Sequence, residues 1–203
     1  MSRFKYLLLT IFILQLPFVT FSQEKKKVLV IEIKSEIDPR SNRYVELALE
    51  YAEEIEADVV IVEMDTYGGL VTDAKDIVEN ILDFKKPIWV YINKDAASAG
   101  ALISIACDSI YMAPGASIGA ATVVMGEGEA APDKYQSYMR STMRSTAEEK
   151  GRDPRIAEAM VDQNIEIEGV TKAGEVITFS TSEAITHGFC EGKVESIEEI
   201  LKN

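Results

Sequence analysis

Residues 87–107 read PIWVYINKDAASAGALISIAC, and the way this stretch divides decides the fold. Pro87–Ile92 is apolar, aromatic and β-branched, the composition of a buried strand. Ser98–Cys107 carries no charge and no proline and reads as a buried helix. The DAASAG segment between them turns strand into helix, with Ser98 flanked by Ala97 and Ala99 and followed by Gly100. A serine among such small side chains has two explanations. It caps the helix and lets it pack tightly, or its hydroxyl is kept open to a close approach.

The same alternation extends upstream. Lys27–Ile33 (KVLVIEI) is a strand, and Ser41–Ala57 is a helix with Val45, Ala48, Leu49, Ala52 and Ile55 on one side. Val59–Met64 (VVIVEM) is a second strand, broken by DTYGG, and Leu70–Leu82 is helical. Strands alternating with helices of this length predict a parallel sheet with crossover helices, buried on both faces. Downstream, Gly126–Pro132 (GEGEAAP) reads as a polar loop without structure of its own. Asp133–Gly151 then forms a long amphipathic helix, and Pro154 opens a short one. Residues 168–180 (EGVTKAGEVITFS) suggest a hairpin turning at Ala173-Gly174. Thr181–His187 is a short helix capped by Thr181 and ended by Gly188, and SIEEILKN is a last helix. No repeat or linker interrupts this α/β pattern.

The N-terminus stands apart. Arg3 and Lys5 precede the mainly apolar run Leu7–Phe21, and Thr20 and Ser22 supply small residues before Gln23. That is the layout of a secretory signal peptide over residues 1–22, with residues 23–203 as the exported domain. A retained anchor is the alternative, although the run is short for a membrane span. Removing Arg3 and Lys5 moves the formal charge from −13 to −15. So acidic a chain is a poor partner for nucleic acid. Cys107 and Cys190 are read as separate thiols, because Cys107 lies in an apolar helical run.

Several chemistries lack their residues. The single histidine, His187, stands at a helix end next to glycine, an ordinary capping or surface position. No HExxH, paired CxxC or glycine-rich phosphate loop is present, so neither a metal nor another cofactor is expected. What remains is Ser98 at the positive end of a helix. Gly68 and Gly69 follow a strand, where backbone N–H groups are open to an oxyanion or a turn simply requires glycine. A serine without histidine needs another base, and a lysine can serve only when neutral, its pKa lowered from about 10.4 to near 7. Lys134 opens the long helix after an apolar-leaning turn, although Asp133 beside it opposes that change. A solvated surface lysine is the other reading. Tyr135, Met139 and Met143 recur every four residues and either line a groove or pack into the core.

Taken in order, DTYGG, AASAG, IYMAPGASIGAA, APDK and EAITHGF resemble the NfeD family of membrane-associated serine proteases, within the ClpP/crotonase-like superfamily. The resemblance spans roughly residues 27–202 and implies a spiral of ββα units. It implies Ser98 as nucleophile, Lys134 as base, and Gly68, Gly69 and the backbone of Ala99 as the oxyanion hole. Tyr67 stands where the family usually has proline, and with Tyr135 and Met139 it is a candidate substrate contact. The implied function is an exported, periplasmic or extracytoplasmic, membrane-associated endopeptidase that cuts apolar segments of stomatin-like membrane proteins and works as a homodimer or higher homo-oligomer. Longer family members add membrane helices and a C-terminal barrel, so the chain reads as a short form or a fragment. Two rivals share the fold. One is a non-catalytic scaffold for a membrane protein. The other is acyl-CoA chemistry, which a chain of this charge suits poorly.

Overall fold

The computed structural model describes residues 25–126 and 128–202, so the leader expected over residues 1–22 lies outside the described residues. The chain opens with β1 (Val28–Ile33), α1 (Pro39–Glu54), β2 (Val59–Thr66), α2 (Val71–Asp83), β3 (Ile88–Ala97), α3 (Ala99–Ala106) and β4 (Ser109–Met112). β5 (Ser117–Gly119) and the short strands β6 (Val124–Met125) and β7 (Glu129–Ala130) follow. The rest is α4 (Asp133–Glu149), α5 (Pro154–Ala159), β8 (Thr178–Ser180), α6 (Thr181–Thr186), β9 (Gly192–Lys193) and α7 (Ile197–Ile200).

The main sheet runs β1-β2-β3-β4-β9, every pair parallel. Its central strands are nearly continuous apolar runs, as burial on both faces requires. Val60, Ile61, Val62 and Met64 of β2 and Val90 and Ile92 of β3 are all fully buried.

β3 outlasts its sequence signature. The apolar run ends at Ile92, yet the strand continues through NKDAA to Ala97. The continuation is held by new neighbours. Trp89–Ile92 pair with β4, whereas Asp95–Ala97 pair with β5, and Ala96 still meets Thr66 across a register shift in β2. Backbone pairing overrides side-chain polarity here, and Ser98 is thereby carried to the end of a supported strand.

All eight residues of α3 are buried. Burying Leu102, Ile103 and Ile105 contributes about 1.5–3 kcal/mol each relative to exposure. The helix ends on Arg152, a buried guanidinium that donates to the carbonyls of Ile105 (3.1 Å) and Cys107 (3.0 Å). These carbonyls have no intrahelical partner, and a cation beside them also favours the helix dipole.

Three local expectations change. Residues 168–180 form no hairpin: β8 pairs antiparallel with β5, while Ile167 and Thr171 make only an isolated bridge. An open edge on β5 outcompetes a local turn as a partner. The loop at Gly126–Pro132 is instead the end of a small hairpin in which β6 and β7 pair. The cap of α6 is Ser180, whose hydroxyl accepts from the Glu183 N–H while Glu183 reaches back to the Ser180 N–H, a capping box.

Candidate active site

Ser98 has φ 55° and ψ −116°, a conformation that L-residues rarely adopt. Such a backbone costs on the order of 1–3 kcal/mol and persists only where its surroundings hold it. Here the Ser98 N–H donates to Gly119 O (2.9 Å), and Ser98 O accepts from Ala101 N (3.0 Å) and Leu102 N (3.3 Å). The side chain, by contrast, makes no capping hydrogen bond to α3. A serine retained as an N-cap would use its hydroxyl on the helix. This one does not.

The small residues around it now have reasons. A Cβ on Gly68 would lie 2.6 Å from Ser98 Cβ and 3.1 Å from Ser98 Oγ, and the φ there is +109°. One on Gly100 would lie 2.6 Å from Thr66 Cγ2. The first turn of α3 therefore packs closely on Thr66 at the end of β2, and the Ser98 side chain lies against Gly68. Gly69 is set by a second crossing. Its N-terminal neighbour's carbonyl accepts from Ile37 N (2.8 Å), and Leu70 N donates to Ile37 O (2.8 Å). A Cβ at Gly69 would sit 2.1 Å from that same Ile37 oxygen.

The backbone donors are not equivalent. Gly68 N–H donates to Thr66 Oγ1 (3.1 Å), and that hydroxyl in turn donates to Ser35 O (2.6 Å). Gly69 N–H and Ala99 N–H have no acceptor among the described residues. Ala99 is also the first residue of α3, where the helix dipole favours negative charge. Gly68 and Gly69 also line a cleft of about 540 Å³ together with Lys34, Asp65, Tyr67 and Lys94, whereas Ser98 and Lys134 are not among its lining residues. Tyr67 is 82 % exposed at its rim. A larger cleft of about 840 Å³ lies among Arg155 and residues 166–172, but it contains none of these groups.

Lys134 is in the first turn of α4 and exposed. Its Nζ lies 4.7 Å from the ring centroid of Tyr135, and among the described residues no hydrogen bond joins it to Ser98. Asp133 turns toward Arg140 (3.3 Å), which also pairs with Asp162 (3.0 Å). Met139 and Met143 are buried in the core, so packing accounts for the methionine spacing and only Tyr135 of that stripe faces outward. The His187 ring stacks on Phe179 at 5.1 Å. Both thiols are buried, and burial pushes Cys107 up to about 12 and Cys190 up to about 11.

Two supporting residues are not among the sequence candidates. Thr66, inside DTYGG, closes the strand end that presents the glycines. Gln136 holds the foot of the β6–β7 hairpin, its Oε1 accepting from Val123 N (3.0 Å) and its Nε2 donating to Val123 O (2.7 Å) and Ala131 O (3.2 Å). Gln136 thus ties the first turn of α4 to the segment that continues from Gly119, the residue bonded to Ser98. The tie depends on residues thirteen and five positions away, which no local pattern reveals.

Residues 27–203 match the family described as NfeD1b, N-terminal domain. The chain belongs to this family. It is 36% identical over 202 residues to the membrane protein NfeD1b of Bacillus subtilis, covering 98% of this chain and 46% of that protein. It is 31% identical over 186 residues to the membrane-bound protease PH1510 of Pyrococcus horikoshii, covering 88% of this chain and 40% of that protein. The chain thus spans less than half the length of either curated relative. Among solved structures it is similar to the 1510-N membrane-bound stomatin-specific protease. A serine-to-alanine variant of that protease superposes with a TM-score of 0.78 at 30% identity, over 88% of this chain and 84% of that one. A lysine-to-alanine variant in complex with a substrate peptide gives the same TM-score and identity, over 88% and 80%. ClpP1 from Listeria monocytogenes superposes at 0.64 with 19% identity, over 84% and 94%, and shares the fold. The α/β architecture is therefore ClpP-like.

Proposed function

We propose that this chain is a serine endopeptidase in which Ser98 is the nucleophile and Lys134 the general base. The observation that carries the reading is the strained Ser98 backbone, which holds a hydroxyl unused by its helix against Gly68. Ser98 Oγ attacks the scissile carbonyl carbon while neutral Lys134 Nζ takes the hydroxyl proton. The oxyanion that forms is held by the Ala99 and Gly69 N–H groups, with Gly68 N–H able to join by leaving Thr66. The C–N bond then breaks, and the amine departs with the proton from Lys134. Water attacks the acyl ester, again through Lys134, and Ser98 Oγ recovers its proton. Lys134 must swing off the Tyr135 ring for this, a movement its four-carbon stem permits.

The substrates we assign are apolar segments of stomatin-like membrane proteins. Support comes from the 1510-N relative, which is named as stomatin-specific and was solved with a substrate peptide. The leader-like residues 1–22 and the membrane-protein relatives support an exported domain working at a membrane surface, and the family resemblance supports self-association. A scaffold that binds without cutting is the second reading, favoured by the absence of Ser98–Lys134 contact among the described residues.

The deciding experiment incubates apolar stomatin-like peptides with the protein, Ser98→Ala and Lys134→Ala, and reads products by mass spectrometry. Cleavage by the wild type that is lost in both variants supports the dyad. A wild type that leaves every peptide intact, yet binds as tightly as Ser98→Ala, establishes the scaffold.

A further inference from the structure

Lys134 has a carboxylate for a neighbour, and the structure shows where that carboxylate goes. Asp133 opens α4, a helix whose N-cap, Pro132, makes no side-chain capping bond. An anion in that first turn favours the helix dipole. Beside Lys134 it is a hazard, because a carboxylate paired with an ammonium holds the proton that a general base must lose. Adjacent residues lie about 100° apart around a helix, so the two side chains meet only if both turn toward each other. Lys134 has that freedom, since its Nζ rests 4.7 Å from the ring centroid of its other neighbour, Tyr135.

Arg140 takes Asp133 the other way. The two residues are seven apart, about two turns along one face of α4. Arg140 Nη2 donates to Asp133 Oδ1 (3.3 Å), and Nη1 pairs with Asp162 Oδ2 (3.0 Å). Asp162 is fixed in turn, its Oδ1 accepting from the Asn164 backbone N–H and Nδ2, both at 2.9 Å. The Arg140 side chain is thus anchored and only 22 % exposed, whereas that of Asp133 is 86 % exposed and has no other side-chain partner among the described residues. Of the elements near α4, α3 contributes no charge. Glu158 of α5 pairs with Arg144 (2.6 Å), and Arg155 donates to Glu166 O (3.0 Å). Lys75 of α2, beside Tyr138, pairs with Glu79 (3.0 Å). Glu129 of β7 is exposed.

We infer that Arg140 is a positioning residue for the base. Its two nitrogens span Asp162 and Asp133, and the span keeps Asp133 from closing on Lys134. A lysine at position 140 keeps the charge, but one ammonium does not reproduce the fork that holds both carboxylates. The consequence for catalysis rests on the reading of Lys134 as general base. The arrangement itself is measurable without any cleavage.

Competitive acetylation of the folded protein across a pH series, read peptide by peptide by mass spectrometry, gives the titration midpoint of Lys134 whether or not the chain cuts a substrate. Arg140→Lys is expected to raise that midpoint by about half a pH unit or more, and Asp133→Asn in the same chain to return it to the parent value. Asp133→Asn alone leaves it unchanged, since Asp133 faces Arg140 in the parent. A purely structural role for Arg140 moves the melting temperature and none of these midpoints. In peptide cleavage the acidic limb of kcat/KM moves up in step, so Arg140→Lys lowers activity on that limb by about 3-fold and spares the alkaline plateau. A Lys134 midpoint indifferent to Arg140→Lys overturns the inference. So does one that Asp133→Asn fails to restore, which would point to another carboxylate such as Glu129. Midpoints that shift as expected in a chain that cleaves no peptide uphold the inference and count against the peptidase reading alone.

Discussion

The two halves of the candidate site are built in opposite ways. Ser98 sits where β2, β3, β5 and α3 converge, with its backbone bonded at both ends and glycines pressed against it. Lys134 is exposed, on a helix reached through a two-stranded hairpin whose strands are themselves exposed. A strained nucleophile needs a core to hold it, since the strain would otherwise relax. A base that must come and go with a proton needs reach, which a lysine on a peripheral helix supplies. Substitutions near Ser98 should therefore move stability and activity together, and those near Lys134 should move activity alone.

The largest effects break the comparison outright if they fail. Ser98→Ala and Lys134→Ala are each expected to lower kcat by about 1,000-fold or more in peptide cleavage assays. Lys134→Ala leaves the melting temperature unchanged, and a clear loss of stability would place it in the core half instead. Gly68→Ala comes next, because the new Cβ meets Ser98 Cβ at 2.6 Å and the φ of +109° resists any side chain. We expect about a 100-fold loss of kcat/KM together with about 1–3 kcal/mol of stability by denaturant titration. Gln136→Ala frees the foot of the hairpin and is expected to lower kcat by about 10-fold, costing under about 1 kcal/mol. Hydrogen exchange at the amides of Val123 and Ala131 should accelerate in that variant even without substrate.

The smallest effect tests the core half by pH. Cys107 is raised from 9.0 to about 12 by burial, so the folded chain keeps a proton that the unfolded chain releases. Its contribution is fully present below about pH 9 and is lost as pH rises toward 12. At pH 10 the loss is about 1.4 kcal/mol. Chemical denaturation between pH 8 and 10.5 should show that decline, and Cys107→Ala should flatten it. An equal slope in the variant would show that Cys107 is reached by water.

Much of the Ser98 half of the candidate site was legible in local sequence. The strand ending in DTYGG and the strand-to-helix turn at DAASAG both lie in strongly patterned segments, and the structure brings Gly68 and Ser98 into contact. Even here the details escaped. The end of β3 has no apolar pattern because pairing with β5 sustains it, and the acceptor of the Gly68 N–H is a side chain two residues upstream. The Lys134 half was legible only as a motif. The spacing of Met139 and Met143 reflects core packing, and α4 is an ordinary amphipathic helix whose position is set by Gln136 and by Arg140 bridging to Asp162.

By itself the sequence determined the alternating elements, the parallel sheet, the acidic surface and the places where a hydroxyl and paired glycines interrupt the pattern. These follow from hydrophobic periodicity and backbone sterics, which act over a few residues. The tertiary structure alone decided that Ser98 is strained and uncapped, that β8 leaves its local turn for β5, and that the Gly69 and Ala99 N–H groups have no acceptor among the described residues. Each of these depends on segments far apart in the chain competing for the same hydrogen-bonding groups, and only the folded arrangement settles that competition.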